Sequence, residues 1–209
     1  MEMDLKGRFI TFEGTEGSGK STQAALAYEY LKEQGLPVVL LREPGGVQIS
    51  EAIRRMLLDV ESAGMSDACE TLLYMAARAQ LVKEVLEPHL ASGKIVLCDR
   101  FLDSTIAYQG YGNGVDVKAI EVIGDFATKG IKADLTLLFD VETEIGLSRT
   151  NSVKDRIELR SIEYHQRVRS GYLALAQQYP ERIKTIHVDA SKEEIFKRTK
   201  VYIDECVKH

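Results

Sequence analysis

Residues 14–21 read GTEGSGKS and fit the pattern GxxxxGK[ST] at every fixed position. Gly14, Gly17 and Gly19 let a backbone wrap closely around a phosphate, and the exposed N–H groups then face anionic oxygens at the start of a helix. Lys20 suits the β- and γ-phosphates of ATP, and the Ser21 hydroxyl suits Mg²⁺. Thr15, Glu16, Ser18 and Thr22 complete the candidate ATP-binding run. Glu16 is an unusual carboxylate beside bound phosphates, because like charges repel and it needs a compensating partner. A second pair, Asp99-Arg100, ends an apolar run and offers a carboxylate for Mg²⁺, through water, followed by a cation. Tyr74 and Arg78 are four apart on one helix face, with Glu70 one turn earlier. A solvated Glu70–Arg78 ion pair is the plain alternative for that face.

These groups need strands and helices in alternation to hold them. The apolar run 8–13 stops at Gly14, and 20–34 follows with a helical stripe that Gly35 ends. Further strands are expected at 37–41, 94–99, 135–139 and 184–188, with helices at 49–58, 66–90 and 192–207. Pro88 is a candidate break in the long helix. Its stretch 72–86 is apolar on more than one face, so one face covers a sheet and another meets a ligand or a second subunit. Strands separated by helices imply parallel pairing with helices on both sheet faces. The expected fold is α/β: a three-layer α/β/α P-loop NTPase fold with a five-stranded parallel sheet and a short lid. The chain 1–209 reads as one domain, and the polar stretch at about 149–160 is the lid candidate.

Bulk properties narrow the partners. The 209 residues hold 27 Lys plus Arg against 32 Asp plus Glu, a net charge of −5 that argues against a nucleic-acid binder. No apolar run nears the roughly 20 residues a bilayer crossing needs, and the start of the chain has no apolar signal core. Cys69, Cys98 and Cys206 are far apart, as expected of reduced thiols in a cytoplasmic protein. The histidines show no zinc spacing.

The phosphate loop by itself gives nucleoside triphosphate binding and not a reaction. The guanine-reading [NT]KxD segment and the LSGGQ signature of transport ATPases are both missing from the sequence. That leaves small-molecule kinases. Arg42-Glu43-Pro44-Gly45-Gly46, Ala76-Ala77-Arg78, Asp99-Arg100-Phe101, the run 103–110 (DSTIAYQG) and Asp155-Arg156-Ile157-Glu158 follow the loop in order. Together they resemble the thymidylate kinase family over essentially the whole chain.

The resemblance implies phosphorylation of dTMP to dTDP with ATP and Mg²⁺. It implies that Arg100 touches the acceptor phosphate and that Glu16 meets the sugar 3′-hydroxyl and the metal's water shell. It places Tyr74 against the pyrimidine, Arg78 on a base carbonyl, and Thr105 and Gln109 at the base edge. Tyr108 would crowd the 2′ position, Arg42 and Pro44 would line the acceptor pocket, and Arg54 would reach base or phosphate. The lid departs from the commonest bacterial pattern: it is short, and Arg149 and Arg156 are the expected cationic helpers, with Lys154 as a stand-in. A homodimer is also expected. The alternatives are a kinase for another monophosphate such as dUMP, and an inactive P-loop nucleotide-binding protein.

Overall fold

The computed structural model describes residues 7–150 and 154–208. Five strands, β1 (Arg8–Glu13), β2 (Val38–Arg42), β3 (Ile95–Asp99), β4 (Leu135–Asp140) and β5 (Ile183–His187), pair in parallel in the order β2-β3-β1-β4-β5. The inner strands β1, β3 and β4 are buried almost throughout, which explains their unbroken apolar runs. Edge strands β2 and β5 are only partly buried.

Helices α1 (Lys20–Glu33) and α9 (Lys192–Lys208) cover one face of the sheet, around Phe12, Leu31, Leu97, Phe139 and Ile203. The α1 C-terminus closes as a Schellman motif: Leu36 N–H donates to Leu31 and Gly35 N–H to Lys32, with Gly35 at φ 73°. The other face carries α3 (Asp67–Leu81), α4 (Glu87–Ala91), α5 (Leu102–Thr105), α6 (Val117–Thr128) and α8 (Ile162–Gln178), with α2 (Gln48–Leu58) packed on α3 and α7 (Thr143–Ser148) on α8. Its cores form around Phe9, Val96 and Phe101, and around Met75, Ile120, Leu138 and Val168.

Two local features differ from the expected elements. The long helix does not break at Pro88. It widens into a π turn at Val82–Leu86 just ahead of that residue, with Glu87 N–H donating to Val82. Pro88 has no N–H to give the carbonyl four residues back, and the wider turn accommodates the loss. Residues 102–112, read from sequence only as a motif, are helical: α5 runs into a second π turn at Ile106–Gly112. The helices α6, α7 and α8 were likewise not anticipated.

Strand register brings the chemistry together. Phe12 of β1 and Arg42 of β2 both pair with Asp99 of β3, so three strand ends stand abreast. The chain leaves β1 and β3 in opposite directions, to β2 and to β4. Such a switch point at the carboxyl ends of the strands is where open α/β sheets form their crevice.

Candidate active site

The loop from β1 to α1 needs its glycines. A Cβ on Gly14, at φ 146°, would lie 2.5 Å from the Phe139 carbonyl oxygen. One on Gly17, at φ 67°, would lie 1.9 Å from that of Gly146 in α7. Gly19 occupies the N-cap position of α1 in the left-handed region, with no side-chain cap and no acidic residue in the first turn. The first N–H groups of α1 are therefore free to meet an anion. Thr15 and Ser18 are buried within the loop, and Thr22 is exposed one position past Ser21.

A cleft of about 310 Å³ opens beside this loop. Its lining includes Glu16, Lys20, Ser21, Asp99 and Arg100. Ser21 Oγ donates to Asp99 Oδ2 at 2.5 Å, while Asp99 Oδ1 is buried without a partner. A hydroxyl beside an unsatisfied carboxylate oxygen fits a hard, oxygen-seeking cation. No cluster of three or more His, Cys, Asp or Glu suited to a metal occurs among the described residues. A cation held here would therefore draw its other oxygens from phosphates and water, as Mg²⁺ commonly does.

Arg100 has φ 72°, a conformation that costs a non-glycine residue about 1–2 kcal/mol. Its Nη2 donates to Glu16 Oε1 at 3.2 Å and to the Tyr108 hydroxyl at 3.0 Å, and its guanidinium lies 4.8 Å from the centre of the Tyr108 ring. Tyr108 also donates to Glu16 Oε1 at 2.6 Å. Glu16 Oε2 lies 3.3 Å from Nδ1 of the buried His165, out of line for a good hydrogen bond. Burial pushes the Glu16 carboxyl up, but His165, Arg100, Lys20 and Tyr108 together bring it down to about 2. Burial and the Arg100 charge lower Lys20 to about 8, against the pull of Asp99, Glu16 and Glu13.

The cleft is also lined by Pro44, Arg54, Tyr74, Arg78, Thr105, Tyr108 and Gln109. Arg78 is only 2% exposed. Its Nε donates to Glu43 Oε2 at 2.8 Å, and its Nη2 donates to Phe101 O at 2.9 Å and Thr105 Oγ1 at 3.0 Å. Arg54 Nη1 donates to Pro44 O at 2.9 Å, and Arg42, also on the cleft, donates to Glu51 at 2.8 Å.

Some expectations need correcting. The Glu70–Arg78 pair does not form: Arg78 takes Glu43, and the buried Glu70 takes Arg156 at 2.6 Å and Arg160 at 2.8 Å. Glu70 Oε1 accepts from Gln109 Nε2 at 2.9 Å, which steadies that side chain at the cleft. Arg156 does not face the phosphate loop. It is 6% exposed, and its Nε donates to the Leu57 carbonyl at 2.8 Å, so its cation already serves Glu70 and the α2 end. Arg149, at the end of α7, lies outside the cleft wall, and its Nη1 donates to Gly17 O at 3.4 Å. Lys154 is exposed. Residues 151–153 of the expected lid lie outside the described residues.

Sequence reasoning did not select Glu43, Ser104, Asp155 or Glu158 as site residues, yet all four line the cleft. All four sit in motifs already noted, and that was a usable signal. Behind the wall, His165 and Tyr172 come from α8. The helical spacing of Tyr164, His165, Val168, Tyr172 and Leu175 could have revealed that element.

Known proteins share this sequence and this fold. The family model described as thymidylate kinase matches residues 12–199. The thymidylate kinase of Geotalea uraniireducens is 48% identical over 194 residues, covering 89% of this chain and 90% of the relative. That of Symbiobacterium thermophilum is 46% identical over 200 residues, covering 95% and 94%. The crystal structure of thymidylate kinase from Ehrlichia chaffeensis superposes with a TM-score of 0.80 at 33% identity, over 94% of this chain and 98% of that one.

Proposed function

The chain belongs to the thymidylate kinase family, and on that premise we propose that it phosphorylates dTMP to dTDP with ATP and Mg²⁺ in the cleft between the phosphate loop and α3. The observation carrying this reading is that a single cleft is lined by Lys20 and Arg100 together with Tyr74, Arg78 and Gln109. The ATP triphosphate lies in the loop 14–21, against Lys20 and the open first turn of α1. The thymine faces Tyr74, Arg78, Thr105 and Gln109, with Arg42, Pro44 and Arg54 beside the nucleotide. The closeness of Tyr108 to Glu16 and Arg100 supports a wall that crowds a 2′-hydroxyl, with Glu16 available to the 3′-hydroxyl.

A dTMP phosphate oxygen forms the new bond to the γ-phosphorus as the bond from that phosphorus to the β–γ bridging oxygen breaks, and ADP leaves with that oxygen. The acceptor is already an oxyanion, so no general base is required, and positioning and charge neutralisation carry the rate. Lys20 and Arg100 supply cations on the transferring group, and Ser21 and Asp99 would hold Mg²⁺. When bound, that ion neutralises charge on the β- and γ-phosphates. Arg149, next to Gly17, is the lid cation in this reading, and the lid shields the reaction from water. Arg156 serves as a brace for Glu70.

We further infer a homodimer, from exposed apolar side chains on adjoining helices: Leu72 on α3, and Val122 and Phe126 on α6. The three cysteines are unpaired, which supports a reducing, cytoplasmic compartment. Among the described residues no helix is long and apolar enough to cross a membrane.

Lys20→Ala and Arg100→Ala test the assignment. Each is expected to lower kcat for dTMP by about 10²-fold or more with the fold intact, measured by coupled ADP release. Near-normal turnover in either variant would remove that residue from the mechanism.

A further inference from the structure

Glu13, the last residue of β1, is fully buried behind the cleft. Its Oε1 accepts the Phe101 N–H at 2.7 Å. Its Oε2 accepts from the Ser104 hydroxyl at 2.6 Å and the Tyr172 hydroxyl at 2.9 Å. Both hydroxyl oxygens lie 3.2 Å from Arg100 Nη1, which donates to them. Each hydroxyl has a single hydrogen. The two hydroxyl oxygens also lie 2.7 Å apart, and the carboxylate draws their hydrogens to its own side, which leaves oxygen lone pairs facing the guanidinium. Through Phe101, the same carboxylate also pins the residue that follows Arg100, whose left-handed backbone persists only if its surroundings hold it.

We propose that Glu13 is a positioning residue for phosphoryl transfer: as a carboxylate it orients Ser104 and Tyr172 so that they hold the Arg100 guanidinium at the phosphate end of the cleft. This rests on the dTMP kinase reading above and assigns Glu13 no contact with substrate.

The protonation state of Glu13 sets the polarity of this array. Burial and Asp103 raise its carboxyl to about 7, against the Ser104 hydrogen bond, the Arg100 charge and the Phe101 N–H. Tyr172 from α8, Lys20 from α1, Cys98 from β3 and Arg182 ahead of β5 also face it. Once protonated, Glu13 donates a hydrogen of its own. One of the two hydroxyls then turns its hydrogen away from Glu13, to the other hydroxyl 2.7 Å away or toward Arg100 Nη1, and the negative charge that fixed both orientations is gone.

Glu13→Gln keeps the shape and makes that donor permanent. With saturating ATP and dTMP, kcat is expected to fall by about 10²-fold, while KM for ATP moves by less than about twofold. The ratio of wild-type to variant rate should shrink as pH falls from about 8 to about 6, because wild type then joins the protonated state. Titration of the substrate phosphates is common to both enzymes and cancels in the ratio. A purely structural role would lower the melting temperature and leave the ratio flat. Tyr172→Phe removes one arm and should cost about tenfold in kcat. A folded Glu13→Gln enzyme with kcat within about twofold of wild type, or a ratio independent of pH, would overturn the proposal. Should Glu13→Gln fail to fold, Tyr172→Phe decides, and wild-type-like turnover in it overturns the proposal. Wild type inactive with dTMP would defeat the functional reading itself. Active wild type with unaffected variants would defeat only the role of Glu13.

Discussion

At the scale of single residues, the cleft is a set of carboxylates held by cations that the nucleotides also need. Glu16 accepts from Arg100 and Tyr108 and stands beside His165. Its carboxyl is brought from 4.5 to about 2, so the unfolded chain binds its proton more readily. Glu16 therefore contributes stability above about pH 4.5 that is lost as pH falls through about 2. The advantage of wild type over Glu16→Gln in denaturant midpoint should shrink across that window, and a constant advantage would contradict the assignment. Glu13 has the opposite sign: raised to about 7, it favours the fold below 4.5, and that contribution is lost as pH rises through 7. Lys20, Ser21, Asp99 and Arg100 were legible because local spacing and a strand end define them. Glu13 and Tyr172 were not, because each acts through partners distant in sequence, such as Glu13 with Tyr172 across 159 positions.

At the scale of elements, strands and the loop were readable and several helices were not. Inner strands announce themselves as apolar runs, and the glycine spacing fixes the loop. The run 102–112 carries motif residues on an irregular helix with a π turn, where 3.6-residue periodicity fails. The candidate break at Pro88 does not form, because a π turn just upstream absorbs the missing N–H. The α3 helix serves two directions. Met75 and Arg78 are buried toward the protein, while Leu72 is 53% exposed beside α6, where Val122 is 70% and Phe126 86% exposed. A second copy of the chain covering that face would account for the exposure. Sedimentation should therefore give a dimer for wild type and a monomer for Phe126→Glu. A monomeric wild type would contradict the inferred interface.

At the scale of the molecule, the order β2-β3-β1-β4-β5 is what lets distant motifs converge. The parallel sheet and its five strands were legible from alternating elements. The buried braces that tie α8 and the segment 154–160 to the cleft were not, because they depend on tertiary contacts alone. The central claim is that ATP and a thymine nucleotide lie end to end between Lys20 and Arg78. Initial rates of ADP release with ATP, Mg²⁺ and each of dTMP, dUMP, dGMP and AMP test it most directly. The account predicts dTMP as the preferred acceptor, whereas preference for a purine monophosphate, or background rates with all four, would contradict it.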